Sequence, residues 1–326
     1  MINLTSIRAV LPDRLKYILK PYFRTLLPNQ LVALLWITFR CNYRCSYCNI
    51  VTNFNFGDLA GRDSEKTADQ WLEALDKLPP TMFYFAGGEP FLYRELPELI
   101  NELPTKHSVI GIVSNGTAKI DVYRRLKKRI GLNISFHREF VDEDTFISKI
   151  AELKDSFNVS VNIVATRENL PVIARLKDTF EGKEVSLHVD RMVGTGFSYT
   201  KEENELLLPL LSKERRAQAD QLDENDYGTK LCGAGKNYIN IFPDGQTYTC
   251  AGGMEYSHSP IVKPILDNQP EPRFKLDQFR MGNIFNPDFR LRERPIACSL
   301  PCRAACDRDL TSFTRVDSRK SRPVSA

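Results

Sequence analysis

Strand and helix patterns alternate between residues 34 and 221, and this alternation most limits the folds open to the chain. The predicted strands are Leu34–Phe39, Met82–Ala86, Ser108–Ser114, Gly131–His137, Asn158–Thr166 and Glu184–Met192. The helical patterns are Ser64–Lys77, Arg94–Glu102, Ala118–Lys128, Asp142–Ser156, Glu168–Phe180 and Glu202–Gln221. Repeated βα units of this length predict a parallel sheet, either open or curled into a barrel.

Several of these strands carry polar residues on one face. The fourth strand alternates Asn133 and Ser135 with Leu132 and Ile134, and the fifth and sixth strands alternate similarly. Parallel strands covered by helices on both faces are apolar throughout, and a closed barrel fills its interior with branched side chains. We therefore predict an α/β fold, an incomplete (β/α)6 TIM-like barrel whose polar face lines a ligand cavity. A sheet with one solvated face is the alternative.

The 326 residues allow one large domain and a smaller appendage. We predict an N-terminal extension over residues 1–33, the partial barrel over 34–222, a small domain over 223–310 and a disordered tail over 311–326. A net charge of +4 is too weak to indicate nucleic acid as a partner. The chain shows neither a membrane span nor a signal-peptide core, so we expect a cytoplasmic protein.

The eight cysteines are grouped, which indicates metal binding rather than disulfides in that compartment. Cys41, Cys45 and Cys48 directly follow the first predicted strand. Cysteine thiolates hold iron–sulfur clusters, and three ligands on a four-iron cubane leave one iron open. The alternatives are free thiols or a zinc site, although structural zinc usually takes four ligands.

This spacing, with Tyr47 just before the third cysteine, resembles the signature of the radical S-adenosylmethionine (SAM) superfamily. Gly87-Gly88-Glu89-Pro90, at the end of the second strand, resembles the segment that binds the SAM amino group in that family. Ser114-Asn115 resembles its ribose- and carboxylate-contacting edge, although a strand-to-helix turn is the alternative. The SAM-binding residues that the resemblance implies are Tyr47, Gly87, Gly88, Glu89, Pro90, Ser114, Asn115, Ser135 and Thr166.

The remaining cysteines resemble those of SPASM and twitch domains, which bind auxiliary [4Fe-4S] clusters. They are Cys232, Cys250, Cys298, Cys302 and Cys306. A full SPASM pattern uses seven cysteines for two clusters, so five predict one auxiliary cluster with one cysteine to spare. Cys232 and Cys250 are the first choice as ligands, and a zinc ribbon is the alternative.

Two further residues are predicted to be catalytic. His137 ends an inward strand face and could touch substrate or donate a proton, although a structural histidine is the alternative. Arg191 could hold the carboxylate of SAM or of the substrate, and a surface ion pair is the alternative.

The resemblance implies reductive cleavage of SAM to a 5′-deoxyadenosyl radical, which abstracts a hydrogen from a substrate carbon. The cofactors would be the SAM-binding [4Fe-4S] cluster, the auxiliary [4Fe-4S] cluster and SAM, with flavodoxin or ferredoxin as the reducing partner. We expect a net oxidation or bond formation on a natural product or cofactor. The alternative is a ribosomal peptide, cross-linked or epimerised with the help of a separate leader-peptide-binding protein. A non-catalytic iron–sulfur carrier or a zinc-stabilised binding protein would not need the Gly87–Pro90 segment.

Overall fold

The computed structural model describes residues 31–48, 65–192, 197–212, 230–250, 276–298 and 314–315. The strands are β1 Leu31–Thr38, β2 Thr81–Gly87, β3 Ser108–Ser114, β4 Gly131–Ser135, β5 Asn158–Ala165, β6 Ser186–Arg191, β7 Lys230–Cys232, β8 Tyr238–Ile241, β9 Gln246–Tyr248, β10 Arg280–Asn283, β11 Ile296–Cys298 and β12 Thr314–Arg315. The α-helices are α1 Ala68–Asp76, α2 Leu96–Glu102, α3 Ile120–Arg124, α4 Glu143–Lys154, α5 Leu170–Glu181 and α6 Lys201–Leu207.

The first six strands pair in parallel and in chain order, as the βα pattern predicts. Together with β8, β9 and β10 they form one nine-stranded sheet in the order β10-β9-β8-β1-β2-β3-β4-β5-β6. The two outermost strands, β10 and β6, do not pair with each other, so the sheet is open. This confirms the α/β fold class and the incomplete TIM-like barrel.

The two faces of the sheet differ in polarity, and β4 shows how the sequence causes this. Leu132 and Ile134 are buried in the core, whereas Asn133 and Ser135 are only partly buried on the opposite face. Successive side chains of a strand point to opposite faces, so the period-2 alternation of β4 places Leu132 and Ile134 on the core face. The opposite, polar face of β4 is the one on which a ligand can lie.

Capping residues fix where several helices begin. The Thr67 hydroxyl accepts the backbone N–H of Gln70, and the Gln70 side-chain oxygen accepts the backbone N–H of Thr67, which makes a capping box at the start of α1. Ser64, the first residue of the predicted helical pattern, lies outside the described residues. Helix α6 was predicted to continue to residue 221, but it ends at Leu207 and passes into a single 3₁₀ turn. Pro209 in that turn lacks the N–H that a continuing helix would need.

A hairpin after residue 237 adds to the sheet of the barrel. Strand β8 pairs in parallel with β1, and β9 and β10 follow as antiparallel neighbours. Trp36 on β1 donates its indole N–H to Asn240 on β8 at 3.3 Å. Phe242 also packs edge-on against Phe39, with 5.0 Å between ring centroids. Because the sheet continues across residue 223, the division into domains at that point stays a prediction.

A second, three-stranded sheet joins β7 to β11 and β12. Strand β12 lies within the tail that was predicted to be disordered. Apart from residues 31–33 and 314–315, the predicted N-terminal extension and tail lie outside the described residues. Within the described part of the chain, no helix has the length and apolar character needed to cross a membrane.

Candidate functional site

The first three cysteines lie in a loop that leaves the carboxyl end of β1. Cys45 is buried, whereas Cys41 and Cys48 are partly exposed. Two N–H groups point at the Cys41 sulfur: the backbone N–H of Tyr43 at 3.4 Å and the side-chain amide of Asn115 at 3.8 Å. Outer hydrogen bonds of this kind orient the ligands of a metal and are typical around cluster sulfurs.

The three thiols are close enough to influence one another's protonation. Burial raises the pKa of the Cys45 thiol to about 12, and the nearby Cys48 and Glu139 add to that shift. Burial likewise raises the pKa of Cys41. Cluster ligands are thiolates, so cluster binding must displace these protons. Three thiols suit a [4Fe-4S] cluster with one open iron. Among the described residues, no three His, Cys, Asp or Glu side chains form a ready-made metal site, so the donor set carries this argument.

Gly87 and Gly88 allow the end of β2 to lie directly against the chain that leads into the cysteine loop. The Gly88 N–H donates to the Thr38 carbonyl oxygen at 2.8 Å, and the Glu89 N–H donates to the Arg40 carbonyl oxygen at 2.8 Å. A Cβ atom on Gly87 would lie 2.0 Å from the Thr38 oxygen, and one on Gly88 would lie 2.3 Å from the Arg40 oxygen. The glycines therefore permit close approach between two segments of this chain.

Glu89 is fully buried and ties β2 to β3. Its carboxylate accepts the backbone N–H of Asn115 at 2.7 Å, the hydroxyl of Ser114 at 2.9 Å and the backbone N–H of Phe91 at 3.1 Å. Burial raises the pKa of the Glu89 carboxyl, and these three hydrogen bonds oppose that rise. The side chain thus fixes Asn115, which in turn donates to Asn42 in the cysteine loop at 2.9 Å.

Arg40 and Glu65 hold the chain just before Cys41, and sequence reasoning did not single out either residue. The guanidinium donates to both carboxylate oxygens, at 2.7 and 2.8 Å, and to the Leu92 carbonyl oxygen at 2.7 Å. Thr38 also donates to Glu65. A bidentate pair of this kind fixes geometry, and here it fixes the start of the cysteine loop.

His137 contacts two residues of the cysteine loop. Its Nδ1 atom is 2.9 Å from the Tyr47 hydroxyl and 3.2 Å from the Cys45 sulfur. Burial lowers the pKa of His137 to about 4. The structure therefore brings together Tyr47, His137, the cysteines, the Gly87–Pro90 segment and Asn115.

Three other residues predicted from the sequence have no described contact with the cysteine loop: Ser135, Thr166 and Arg191. Ser135 ends β4 on the polar face. Thr166 is buried at the start of α5, where its hydroxyl accepts the Asn169 N–H at 3.3 Å. Arg191 lies at the end of β6, stacked 4.8 Å from the Tyr199 ring and bonded to Asn204 at 2.9 Å.

A cavity of about 370 Å³ opens along β4, β5 and β6. Its polar lining includes Asn133, Asn162, His188 and Asp190, and its apolar lining consists of Val113, Leu187 and Val189. Asn162 pairs with Ser135 on one side and His188 on the other, so these polar residues form a row across three strands. The cavity can accept a ligand with several polar groups.

The second cysteine group is only partly within the described residues. Cys232 and Cys250 are buried, and the backbone N–H of Ala234 points at the Cys232 sulfur at 3.4 Å. Cys298 belongs to β11, whose Ile296 pairs with Cys232. Cys302 and Cys306 lie outside the described residues, so the auxiliary-cluster ligand set stays a prediction.

Residues 37–181, which include the cysteine loop and the Gly87–Pro90 segment, match the family model described as the radical SAM superfamily. Residues 37–181 thus carry the sequence pattern of the radical SAM superfamily. The superfamily uses a [4Fe-4S] cluster and SAM, so the match supports these two predicted cofactors. The auxiliary cluster and the residues that would hold each cofactor remain proposals.

Several named proteins share this radical SAM fold or sequence. A PqqA peptide cyclase from Streptomyces rochei is 30% identical over 86 residues, which are 26% of this chain and 22% of the relative. A PqqA peptide cyclase from Granulibacter bethesdensis is 22% identical over 250 residues, 66% of each chain. GTP 3',8-cyclase from Aquifex aeolicus is 25% identical over 254 residues, 66% of this chain and 79% of the relative.

The fold also resembles that of Streptococcus suis SuiB, solved bound to precursor peptide SuiA. The TM-score is 0.51 at 16% identity, over 76% of this chain and 66% of SuiB. At this identity the likeness concerns the fold alone.

Proposed function

We propose that this radical SAM protein reductively cleaves SAM and abstracts a hydrogen atom from a substrate carbon, with net oxidation or bond formation as the outcome. The observation that carries this proposal is the junction of the cysteine loop with the Gly87–Pro90 segment. Two backbone hydrogen bonds join them, donated by Gly88 and Glu89, and a Cβ atom on Gly87 or Gly88 would collide with the backbone just before Cys41. An iron–sulfur carrier or a zinc-stabilised protein would not need that junction.

Each part of the site has a role in this function. Cys41, Cys45 and Cys48 would hold the [4Fe-4S] cluster. When bound, the cluster and SAM supply an electron and a 5′-deoxyadenosyl radical that removes the hydrogen atom. Glu89 and Asn115 fix the loop by the hydrogen bonds described above, and the polar face orients the substrate and excludes water. Orientation of this kind accounts for much of the rate enhancement of such reactions.

A peptide is the substrate class that we favour. Two of the relatives are named PqqA peptide cyclases, and the cavity row of Asn162 and His188 offers amide and imidazole groups that can bind peptide polar atoms. The second candidate is a small molecule from natural-product or cofactor biosynthesis, since another relative is a GTP 3',8-cyclase. In the peptide case, a separate leader-peptide-binding protein would assist. Flavodoxin or ferredoxin would supply electrons.

Anaerobic reconstitution with iron and sulfide tests the assignment. We expect about eight irons per chain, as two cubanes, and about four after Cys41, Cys45 and Cys48 are all changed to Ala. The wild-type protein with SAM and dithionite should release 5′-deoxyadenosine, and the triple variant should not. Full iron in the triple variant, or zinc without iron in the wild type, would contradict the proposal.

The auxiliary cluster is tested separately through Cys232 and Cys250. Changing either residue to Ala should lower the iron content and leave substrate-independent SAM cleavage detectable. Complete loss of cleavage in a folded Cys250→Ala protein that retains its first cluster would contradict this division of labour.

An isotope experiment separates oxidation from epimerisation. A deuterium atom at the reactive carbon should appear in released 5′-deoxyadenosine and should not return to product, which would lose two hydrogens or gain a bond. A product that has the substrate's mass when made in ordinary water, and that gains one deuterium when made in heavy water, would identify an epimerase. In that case a spare cysteine such as Cys298 would be the hydrogen donor.

A further inference from the structure

A short turn after β4 lies against the cysteine loop. It spans His137–Phe140, and we call it the 137–140 turn. Its backbone is closed by the N–H groups of Phe140 and Val141, which both donate to the His137 carbonyl oxygen at 2.9 and 3.2 Å. Three of its four side chains contact the cysteine loop, although about 90 residues separate the two segments along the chain.

His137 contacts the loop through its ring. Its Nδ1 atom lies 3.2 Å from the Cys45 sulfur, within hydrogen-bond distance for a sulfur acceptor. The imidazole also stacks on the Tyr47 ring, with 6.0 Å between centroids and 11° between planes. The stacking holds the imidazole edge toward the sulfur.

Glu139 and Phe140 contact the loop on either side of Cys45. Ser46 donates its hydroxyl to the Glu139 carboxylate at 3.0 Å, which places a negative charge beside the cysteines. Phe140 stacks on Tyr43, with 4.3 Å between centroids and 12° between planes. The turn thus contacts the residues before, at and after Cys45.

We propose that the 137–140 turn sets the reduction potential of the cluster held by the cysteine loop. His137 acts as a hydrogen-bond donor to the Cys45 sulfur, and Glu139 acts as a fixed negative charge. The inference rests on the proposed function, because it requires the cluster. A cysteine bound to iron is a thiolate and only accepts hydrogen bonds, so Nδ1 faces it as a donor. The same N–H lies 2.9 Å from the Tyr47 hydroxyl oxygen, which then also accepts from it. Charge and hydrogen bonds to sulfur set the potentials of iron–sulfur clusters.

The two residues should act in opposite directions. An N–H donated to sulfur stabilises the extra electron of the reduced cluster and makes the potential more positive. The carboxylate of Glu139 repels that electron and makes the potential more negative. A turn that only held the loop in place would give no such opposition.

Two variants and one control use this difference. His137→Phe keeps an aromatic ring for stacking and removes the N–H, so its potential should be more negative than that of the wild type. Glu139→Gln keeps an acceptor for Ser46 and removes the charge, so its potential should be more positive. Arg138→Lys is the control, because Arg138 lies in the same turn but donates to the Glu168 carbonyl oxygen at 2.9 Å, and the change preserves its charge.

The experiment is an anaerobic redox titration of the reconstituted full chain, followed by electron paramagnetic resonance. The first cluster is recognised as the signal that changes when SAM is added, and iron content is measured on the same samples. Opposite shifts at full iron content, with Arg138→Lys unshifted, would support the inference. Shifts in the same direction, unshifted potentials, or loss of iron in both variants would overturn it. A wild-type protein with no SAM-sensitive signal would overturn the proposed function as well, whereas unshifted variants beside a normal wild-type signal would overturn only this inference.

Discussion

The carboxylate of Glu89 accepts the backbone N–H of Asn115 at 2.7 Å and so joins the end of β2 to the end of β3. Asn115 then points its side-chain amide at Asn42 and the Cys41 sulfur. A fully buried carboxylate at the end of β2 is therefore linked to the cysteine loop by hydrogen bonds through Asn115. This arrangement makes Glu89 a structural support of the cysteine loop.

Replacing Glu89 with Gln should destabilise the apoprotein. The amide has one oxygen and one NH₂ group, so at least one of the three donors that Glu89 accepts would face another donor. An unsatisfied buried group costs about 1–3 kcal/mol in the free energy of unfolding. Urea denaturation measures this loss. Glu152→Gln is the control, since Glu152 forms an exposed pair with Arg124 that should contribute under about 1 kcal/mol. Equal stability of the two variants would contradict the structural role of Glu89.

The barrel could be predicted from the sequence because its information is local. Alternation such as Leu132–Asn133–Ile134 assigns each side chain to a face without knowledge of the neighbouring strand. The pairing of β8 with β1 has no such local signal, because about 200 residues separate them and parallel pairing leaves no hairpin between them. The turn Pro243-Asp244-Gly245 is a local signal for the hairpin itself, but it carries no information on where the hairpin joins the sheet.

The candidate site likewise has parts that are readable from local sequence and parts that depend on contacts between distant segments. The cysteine loop and the Gly87–Pro90 segment were recognisable as motifs. The contacts of Glu139 and Phe140 were not predictable, since both residues lie in an ordinary polar turn and acquire a partner only when β4 is placed beside β1's loop. Thr166 was predicted to touch SAM from its position at a strand end. The structure shows it buried, with its hydroxyl accepting the Asn169 N–H, and its contact with SAM stays a prediction.

Changing Gly87 or Gly88 to Ala should strongly lower the free energy of unfolding. The added Cβ would meet a backbone oxygen at 2.0 Å for Gly87 and 2.3 Å for Gly88, and backbone cannot rotate away as a side chain can. We expect a loss of about 4 kcal/mol or more, or no folded protein. Gly182→Ala is the matched control, because its nearest neighbour would be 3.4 Å from the new Cβ. Denaturant midpoints that rank Gly87→Ala with Gly182→Ala would show that the junction is looser than the structure indicates.

His107 should make the stability of the protein depend on pH. Burial lowers its pKa from 6.5 to about 4, and the nearby Lys106 adds to this effect while Asp76 opposes it. Its Nδ1 atom accepts the Thr81 N–H at 3.2 Å. The folded pKa lies below the unfolded one, so the stabilisation is present above pH 6.5 and is lost as the pH falls toward 4.

The shift in the pKa of His107 limits this loss in the free energy of unfolding to about 3 kcal/mol. Urea unfolding of the apoprotein between pH 7.5 and 4.5 measures it. His107→Asn offers an oxygen to Thr81 without a titrating ring, so the variant should lose less stability over that range than the wild type. Parallel curves for the two proteins would show that His107 does not titrate between its folded and unfolded pKa values.

The cavity on β4, β5 and β6 should determine how substrate binds, and Asn162 lies at the centre of its polar row. Asn162→Leu removes a donor and an acceptor from the wall, so KM should rise about 3- to 10-fold, the equivalent of one hydrogen bond. Substrate-independent SAM cleavage should stay unchanged, because Asn162 contacts neither the cysteine loop nor the Gly87–Pro90 segment in any described contact.

Asn158→Leu is the matched control, since Asn158 begins the same strand outside the cavity lining. Steady-state assays with the identified substrate, run beside 5′-deoxyadenosine release without it, make the comparison. An equal KM for both variants would place the substrate elsewhere, and a parallel loss of SAM cleavage would assign Asn162 to the SAM site.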